Sequence, residues 1–462
     1  MPTSTSLNAF DFGMIANSGT DQTANFQNAI DQAGAQGKPL YIPAGVYNVN
    51  TVGLSQTLEI YATKGSALFV PAGGSMSLRV APAGAGRVAN VVLRGLSFDG
   101  ASQNPSSVPN AVVDCSRADR LLIADCEVRN AKAKGIALDG CQGVVRNNVA
   151  SNCYDYAIFS YDGAGVAIEG NTLLDNANNG IGVWRGSLGE DGTVIRGNRV
   201  QRTRNELGGT GQYGNGIVGF RAGNVIAVDN FVTDSAFSAI RYNSVSNGHI
   251  ACNECLRSRE AAIWVEAPGP NDRYEGGIVS GNTVKDCGAG ILAVNVNFGG
   301  RRVVVVGNQI VAARAGSFQT SQDGQTFTYT VPGRGVHGEG DVLVTGNIVE
   351  DVDDWGVVLV PVNFDPSTVG AQKILAQATD NMLKRCAGGI GFVQSDTIYG
   401  RAFVGGNVVG EFRPSTKFAA ICAVNYDGSN NDVSRVSGAA DLGNATSSPY
   451  PNVAVDRNFS FT

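Results

Sequence analysis

Histidine is nearly missing from this 462-residue chain: there are two, His249 and His337. A metal site built on several imidazoles is therefore excluded. Long apolar runs are also missing, and none approaches the roughly 20 residues that a membrane-spanning helix needs. Charge is sparse, at 16% of residues with a net charge of -6. That balance argues against a nucleic-acid backbone as partner. An acidic sugar polymer would need positive charge gathered locally. The 61 glycines carry no three-residue period, which excludes collagen, and the apolar fraction is that of a globular chain. The nine cysteines are odd in number and offer no convincing metal spacing. Cys252-x-x-Cys255 looks like half a zinc site. However, Cys255 falls on the inward apolar position that Val200, Val232 and Val284 hold in other segments. Cys115 also reads inward, so buried free thiols are expected. The opening Met1-Pro2-Thr3-Ser4 shows no leader, which fits either a mature secreted form with an added Met or a cytoplasmic protein.

What is present is a repeat. Asn148, Asn171, Asn198, Asn230, Asn253, Asn282, Asn308, Asn347, Asn381 and Asn407 recur along the chain, mostly 23–32 residues apart. Most stand in the frame apolar-x-Gly-Asn-x-apolar, as in Ile168-Glu169-Gly170-Asn171 and Val305-Val306-Gly307-Asn308. Cys126 takes the same position one repeat earlier. About ten residues after each Asn a small residue opens an alternating strand, as in Gly180-Ile181-Gly182-Val183 and Ala262-Ile263-Trp264-Val265. A unit of this size repeated many times implies a solenoid of stacked coils. The asparagines are best explained as rungs whose amides hydrogen-bond from coil to coil.

The predicted architecture is all-β, a single-stranded parallel β-helix with an N-terminal helix cap. Residues 1–84 read as the cap and first coils, 85–410 as the helix, and 411–462 as a C-terminal cap or tail. Asp21 is placed to cap a helix over Gln22–Gly34 with Phe26, Ala29, Ile30 and Ala33 on one face. Three insertions, 201–216, 312–335 and 361–373, lengthen single coils, and loops on a rigid solenoid are where binding usually resides.

Two resemblances follow. Phe10-Asp11-Phe12-Gly13, Gly19-Thr20-Asp21-Gln22-Thr23 and Tyr41-Ile42-Pro43-Ala44-Gly45-Val46-Tyr47 resemble the opening of the pectate-lyase-like superfamily. That resemblance implies a right-handed parallel β-helix. It leaves polysaccharide lyase, hydrolase, epimerase and phage tailspike all open. A second stretch is similar to a family of twin-arginine-exported, functionally uncharacterised bacterial β-helix repeat proteins. It comprises Asn179-Gly180-Ile181-Gly182-Val183-Trp184-Arg185, Gly208-Gly209-Thr210-Gly211-Gln212-Tyr213-Gly214-Asn215 and Ala236-Phe237-Ser238-Ala239-Ile240-Arg241. This resemblance implies export to the periplasm and supplies no reaction.

The rungs also set a register. If Ile158, Ile181, Ile217, Ile240, Ile263, Ile291 and Val336 point inward, the outward neighbours form two columns. One runs Ala137, Phe159, Gly182, Val218, Arg241, Trp264, Leu292, His337. The other runs Asp139, Tyr161, Trp184, Phe220, Asn243, Glu266, Val294, Glu339. With coils about 4.8 Å apart, Arg241, Asn243, Trp264 and Glu266 make a compact square. Tyr161, Trp184 and Phe220 form an aromatic strip, a pattern suited to sugar rings. The 201–216 loop either buries these aromatics or forms one groove wall. In the second case Gln212, Tyr213 and Asn215 face the ligand. Arg185 and Arg221 supply positive charge beside the strip, or pair with acids such as Glu190 and Asp191.

The expected function is cleavage of an acidic, uronate-containing glycan by β-elimination. Arg241 would neutralise the substrate carboxylate, and Tyr161 or His337 would move protons, with Glu266 beside them. The superfamily resemblance adds an Arg or Lys base as an option. Calcium dependence stays open, because Asp162, Glu190, Asp191 and Glu266 are available but do not crowd on one coil. An inverting glycoside hydrolase would use Glu266 and Glu339, with backbones about 9–10 Å apart. The paired Asp motifs of the polygalacturonase branch and the Asp-Pro-His-Asp of the mannuronan epimerase branch are missing. Asp351-Val352-Asp353-Asp354 reads as a solvated turn. His249 reads as a surface or turn residue. A non-catalytic glycan-binding protein, monomeric or trimeric, is the remaining alternative.

Overall fold

The computed structural model describes residues 6–101, 111–267, 274–294, 301–361, 374–393, 400–413, 419–425, 433–450 and 452–461. They divide into two compact units, 1–186 with 190–206, and 187–189 with 207–462. Both are built from coils of three short strands, and strands of successive coils pair in parallel. In the first unit one coil runs through Leu121–Ala124, Glu127–Arg129 and Lys134–Asp139 before returning to Gly143–Arg146. In the second unit Gly248–Ala251, Glu254–Leu256 and Ile263–Glu266 repeat the scheme. We call the sheet of Leu121–Ala124 the first, that of Lys134–Asp139 the second and that of Glu127–Arg129 the third.

The Gly-Asn frame has a geometric origin. The residue before each rung Asn turns the chain from the first sheet to the third-sheet direction in the left-handed region, for example Gly170 at φ 62° and Gly307 at φ 65°. Glycine adopts this conformation without strain, and Asp or Asn tolerates it. The Asn itself then faces inward and is buried. Asn171 Nδ2 donates to Asn198 Oδ1 at 3.0 Å and to the Val145 carbonyl at 3.0 Å, while its Oδ1 accepts from Asn148 Nδ2 and the Asn148 backbone N–H. Every amide hydrogen bond is thus used inside an apolar core, as burial requires. In the second unit the ladder runs from Asn230 through Asn407 to Asn458. Asn458 lies within the region expected to be a tail.

Inward residues between rungs are apolar, and Ile158, Ile181, Val183, Ile240 and Ile263 are fully buried. Eight of the nine free thiols are buried, Cys115, Cys126 and Cys255 among them, and Cys252 is exposed. The cap helix spans Thr23–Gln36, one to two residues later than expected, and its first-turn Thr23 N–H bonds Asp21 Oδ1 at 2.8 Å. Phe26 from its buried face stacks on Phe69, ring centroids 4.9 Å apart, and Phe69 stacks on Phe98. This covers the apolar end of the first coils.

The 312–335 insertion folds as an antiparallel hairpin, Ala315–Gln322 with Gln325–Pro332. Of the 361–373 insertion, residues 362–373 lie outside the described residues. The acidic turn is not simply solvated. Asp351 and Asp353 pair with Arg314 and Arg413, and Asp354 is buried against Arg334 at 2.9 Å. His249 stands half-buried on the strand Gly248–Ala251, within 3.4 Å of Ser280 Oγ. Among the described residues no helix is long and apolar enough to cross a membrane.

Candidate functional site

The outward columns of the second sheet pair in the register that the rungs imply. In the first unit Ala137 pairs with Phe159 and Phe159 with Gly182, while Asp139 pairs with Tyr161 and Tyr161 with Trp184. Phe159, Tyr161 and Trp184 are all half-buried. Their rings tile one face: Phe159 lies 5.8 Å from Trp184 and 6.3 Å from Tyr161, and Tyr156 packs beneath at 4.7 Å from Phe159. Gly182 makes this possible, since a Cβ there would stand 2.4 Å from Tyr156. Lys134 places its ammonium 5.1 Å from the Phe159 centroid and bonds Asp155 at 2.9 Å.

Beside these rings Arg185 donates to the Gly163 carbonyl at 3.2 Å and lies 4.0 Å from Asp191. Arg185 is thus engaged with an acid, the second of the two arrangements anticipated for it. Asp191 is buried, and burial raises its carboxyl pKa against the lowering effect of its bonds from Thr193. Asp162 accepts the Gly186 N–H at 3.0 Å.

In the second unit Val218, Arg241, Trp264, Leu292 and His337 pair in succession, as do Phe220, Asn243, Glu266 and Val294. The Arg241, Asn243, Trp264 and Glu266 square exists, but it is not open. Arg241 donates from Nε to Glu266 at 2.8 Å and from Nη1 to Glu260 at 3.1 Å, and its guanidinium lies 4.9 Å from the Trp264 ring centroid. Asn243 donates to the same Glu266 oxygen at 3.2 Å. Gly211 covers the guanidinium so closely that a Cβ there would overlap Nη1. The hairpin adds a second cover. Tyr329 donates to Glu260 at 2.6 Å, Ser238 donates to its other oxygen at 2.6 Å, and Thr320 holds the Gly209 carbonyl at 2.8 Å. An Arg241 facing an open groove, as the register alone suggested, is therefore corrected. Trp264 is likewise buried, packed with Ala261, Ala289 and Leu292.

The charges here are set by burial. Burial pushes the Glu260 carboxyl up, against the opposing field of Arg241 and the bonds from Ser238 and Tyr329. The Tyr329 phenol is raised by burial and by Glu260. Burial alone would lower Arg241, but Glu266 and Glu260 outweigh it and hold the cation. Glu260 and Tyr329 had escaped the sequence. Glu260 lies in a turn just ahead of its strand, and Tyr329 arrives from a hairpin 69 residues away.

The other expected contacts are distributed differently. Asn215 is fully buried and donates to the Gly211 carbonyl at 2.8 Å, so it anchors the loop instead of facing a ligand. Gln212 accepts the Thr210 N–H at 2.9 Å and is exposed, and Tyr213 is half-buried. Arg221 lies over the Phe220 ring at 4.6 Å.

His337 is not at a groove edge. It is 2% exposed, with Nδ1 2.6 Å from Arg334 Nη1 and Nε2 2.9 Å from Glu339. Arginine only donates, so Nδ1 accepts and the proton sits on Nε2, donated to Glu339. Glu339 is fully buried in this network, which removes it as the exposed partner of Glu266. Burial lowers the His337 pKa, with Glu339 opposing and Arg334 assisting. A lowered folded pKa stabilises the fold above the unfolded value of about 6.5 and is lost as pH falls through it. His337→Gln should therefore flatten the fall in unfolding free energy between about pH 7 and 5. An unchanged slope in urea titrations would show that His337 titrates freely.

Among the described residues no group of three or more His, Cys, Asp or Glu converges to hold a metal ion.

A family model described as a right-handed beta helix region matches residues 86–200. No curated protein matches the chain in sequence. Among solved structures, the A-module of the Azotobacter vinelandii mannuronan C-5 epimerase AlgE6 aligns with a TM-score of 0.51 at 15% identity, covering 98% of this chain and 99% of that one. The N-terminal fragment of bacteriophage Phi29 gene product 12 aligns at 0.62 and 13% identity, over 93% and 74%. The catalytic unit of an alpha-1,3-glucanase from Streptomyces thermodiastaticus aligns at 0.51 and 13%, over 100% and 69%. At these identities what is shared is architecture, and the chain is a right-handed parallel β-helix.

Proposed function

We propose that the protein is a carbohydrate-active β-helix that holds a glycan chain on the outward face of the second sheet in its first unit. The observation that carries this reading is the half-exposed tile of Phe159, Tyr161 and Trp184. Aromatic faces stack on the apolar faces of pyranose rings, and three partly exposed rings side by side on one sheet face suit such a ligand. Two of the solved proteins with this fold are named for polysaccharide substrates, mannuronan and alpha-1,3-glucan, which supports a glycan as the ligand.

The test is affinity electrophoresis against a panel of acidic and neutral polysaccharides. Trp184→Ala should weaken binding about 30-fold, the roughly 2 kcal/mol of an aromatic anchor. Arg196→Ala, which removes only an exposed pair with Glu169 on the first sheet, should leave it unchanged. Equal retardation of all three proteins would sink the proposal.

A second reading, β-elimination on a uronate glycan at Arg241, is favoured by one observation. A buried carboxyl, Glu260, shares a hydrogen bond with the Tyr329 phenol beside a guanidinium. It requires the Gly211 loop and the hairpin to move, because the donors of Arg241 already face Glu260 and Glu266. Ultraviolet absorbance of unsaturated uronate, absent after prolonged incubation with acidic polysaccharides, would remove it. Export to the periplasm or beyond is a further proposal, supported by the resemblance to twin-arginine-exported repeat proteins.

A further inference from the structure

The aromatic tile is flanked by two carboxylates, one held only by a loose ion pair and the other without an ion pair among the described residues. Asp114, on the strand Ala111–Ser116, stands in the column Arg79, Asp114, Ala137, Phe159. Asp139 stands in the column Ser116, Asp139, Tyr161, Trp184. Several other acids in this unit are tied closely to arginines: Asp99 to Arg129 at 2.8 Å, Glu169 to Arg196 at 2.9 Å, Asp175 to Arg202 at 2.6 Å. Asp139 has no such tie, and its exposed carboxylate makes no hydrogen bond or ion pair among the described residues. Asp114 has only Arg79 at 3.7 Å, beyond hydrogen-bond distance.

Their spacing follows from the register. One coil step of about 4.8 Å and two residues of about 3.3 Å each put the Cα atoms roughly 8 Å apart. From backbones at that separation two outward carboxylates can reach the roughly 6.5–9.5 Å between carboxyl groups that inverting glycosidases keep to admit a water. The small side chain of Ala137 lies between Asp114 and Phe159 in the column, and Tyr161 stands one coil beyond Asp139.

We infer that Asp114 and Asp139 form the acid and base of a glycoside-hydrolysing site whose sugar-binding wall is Phe159, Tyr161 and Trp184. This inference rests on the glycan-binding reading of the same face. Asp114 in its protonated form gives its proton to the glycosidic oxygen as the C1–O bond breaks. A water attacks C1 from the opposite side, forms the new C1–O bond and gives its proton to Asp139. Solvent then returns the proton from Asp139 to Asp114, so the cycle consumes one water and releases one reducing end. The environment suits the division of labour. Asp114 is 15% exposed at its side chain, and burial raises its carboxyl pKa, with Asp139 adding to the rise and Arg79 and Lys134 opposing it. The carboxyl that is harder to ionise is the one that can donate.

The experiment uses the full chain with polygalacturonate, alginate, dextran and laminarin, and measures binding and reducing ends in parallel. At least one polymer should be bound and cleaved, with the anomeric configuration inverted in the first product detected by NMR. Asp114→Asn and Asp139→Asn should each bind within about two-fold of the parent and cleave at least about 100-fold more slowly. Binding without new reducing ends, undiminished variants, or a retained anomer would each overturn the inference while leaving the binding reading intact. Unsaturated ends in place of saturated ones would transfer the chemistry to elimination. No binding to any polymer would defeat both.

Discussion

Replacing Asn282 by alanine should lower the folding free energy by about 4 kcal/mol, one of the largest single-residue effects expected in this chain. Asn282 Nδ2 donates to Asn308 Oδ1 at 2.9 Å and to the Ile250 carbonyl at 3.0 Å. Its Oδ1 accepts from the Asn253 amide and the Asn253 backbone, both at 2.9 Å. Truncation therefore orphans a carbonyl, a backbone N–H and a side-chain N–H on the preceding coil. Each group is buried, and each orphan costs about 1–3 kcal/mol. Gln309, on the next coil and exposed, makes no hydrogen bond among the described side chains and serves as the control. Gln309→Ala should stay within about 0.5 kcal/mol. Urea titrations of both variants decide the matter, with the denaturant slope compared because repeat arrays can lose cooperativity. Equal midpoints would mean that the amide ladder contributes nothing beyond backbone pairing.

The second large effect is at Arg241. Arg241→Met keeps most of the volume and removes the charge, leaving Glu260, fully buried, and Glu266, 8% exposed, without their cation. Breaking a buried pair from one side typically costs about 3–5 kcal/mol, because the remaining charge stays in a poor solvent. Two further outcomes follow. Adding Glu260→Gln should recover part of the loss, since the neutral amide carries no charge and keeps one oxygen to accept from Tyr329 while its NH2 donates to the Ser238 hydroxyl. The penalty should also shrink at acid pH. In the variant the Glu260 carboxyl is raised above its unfolded value, so stability is retained below about pH 4.5 and lost as pH rises through the folded value. If Arg241→Met proves as stable as the parent, the covered network is not structural and the elimination reading gains ground.

Much of this architecture could be read from the chain because it is local and repeated. The Gly-Asn frame marks a left-handed turn followed by an inward amide, and that turn fixes which neighbours point outward. Phe159 beside Gly182, and Arg241 beside Trp264, follow from counting alone. What counting could not supply is cover. The path of an insertion is set by contacts distant in sequence, so neither Gly211 over Arg241 nor Tyr329 on Glu260 leaves a periodic trace. Asn458 was missed for a simpler reason. It follows Val455-Asp456-Arg457, with Arg457 at φ 48° where the frame usually has glycine, and it lies 51 residues beyond Asn407. Asp114 and Asp139 carry no motif. Asp139 has no cationic partner among the described residues, and Asp114 has only Arg79 on the preceding coil, at 3.7 Å.

The central claim is that a glycan lies on the aromatic face of the first unit. A crystal structure with an oligosaccharide from whichever polymer binds tests it most directly. The account predicts sugar rings stacked on Phe159, Tyr161 and Trp184, with a glycosidic oxygen within hydrogen-bond reach of Asp114. Sugar density confined to the Arg241 side of the second unit, with the aromatic tile bare, would contradict it.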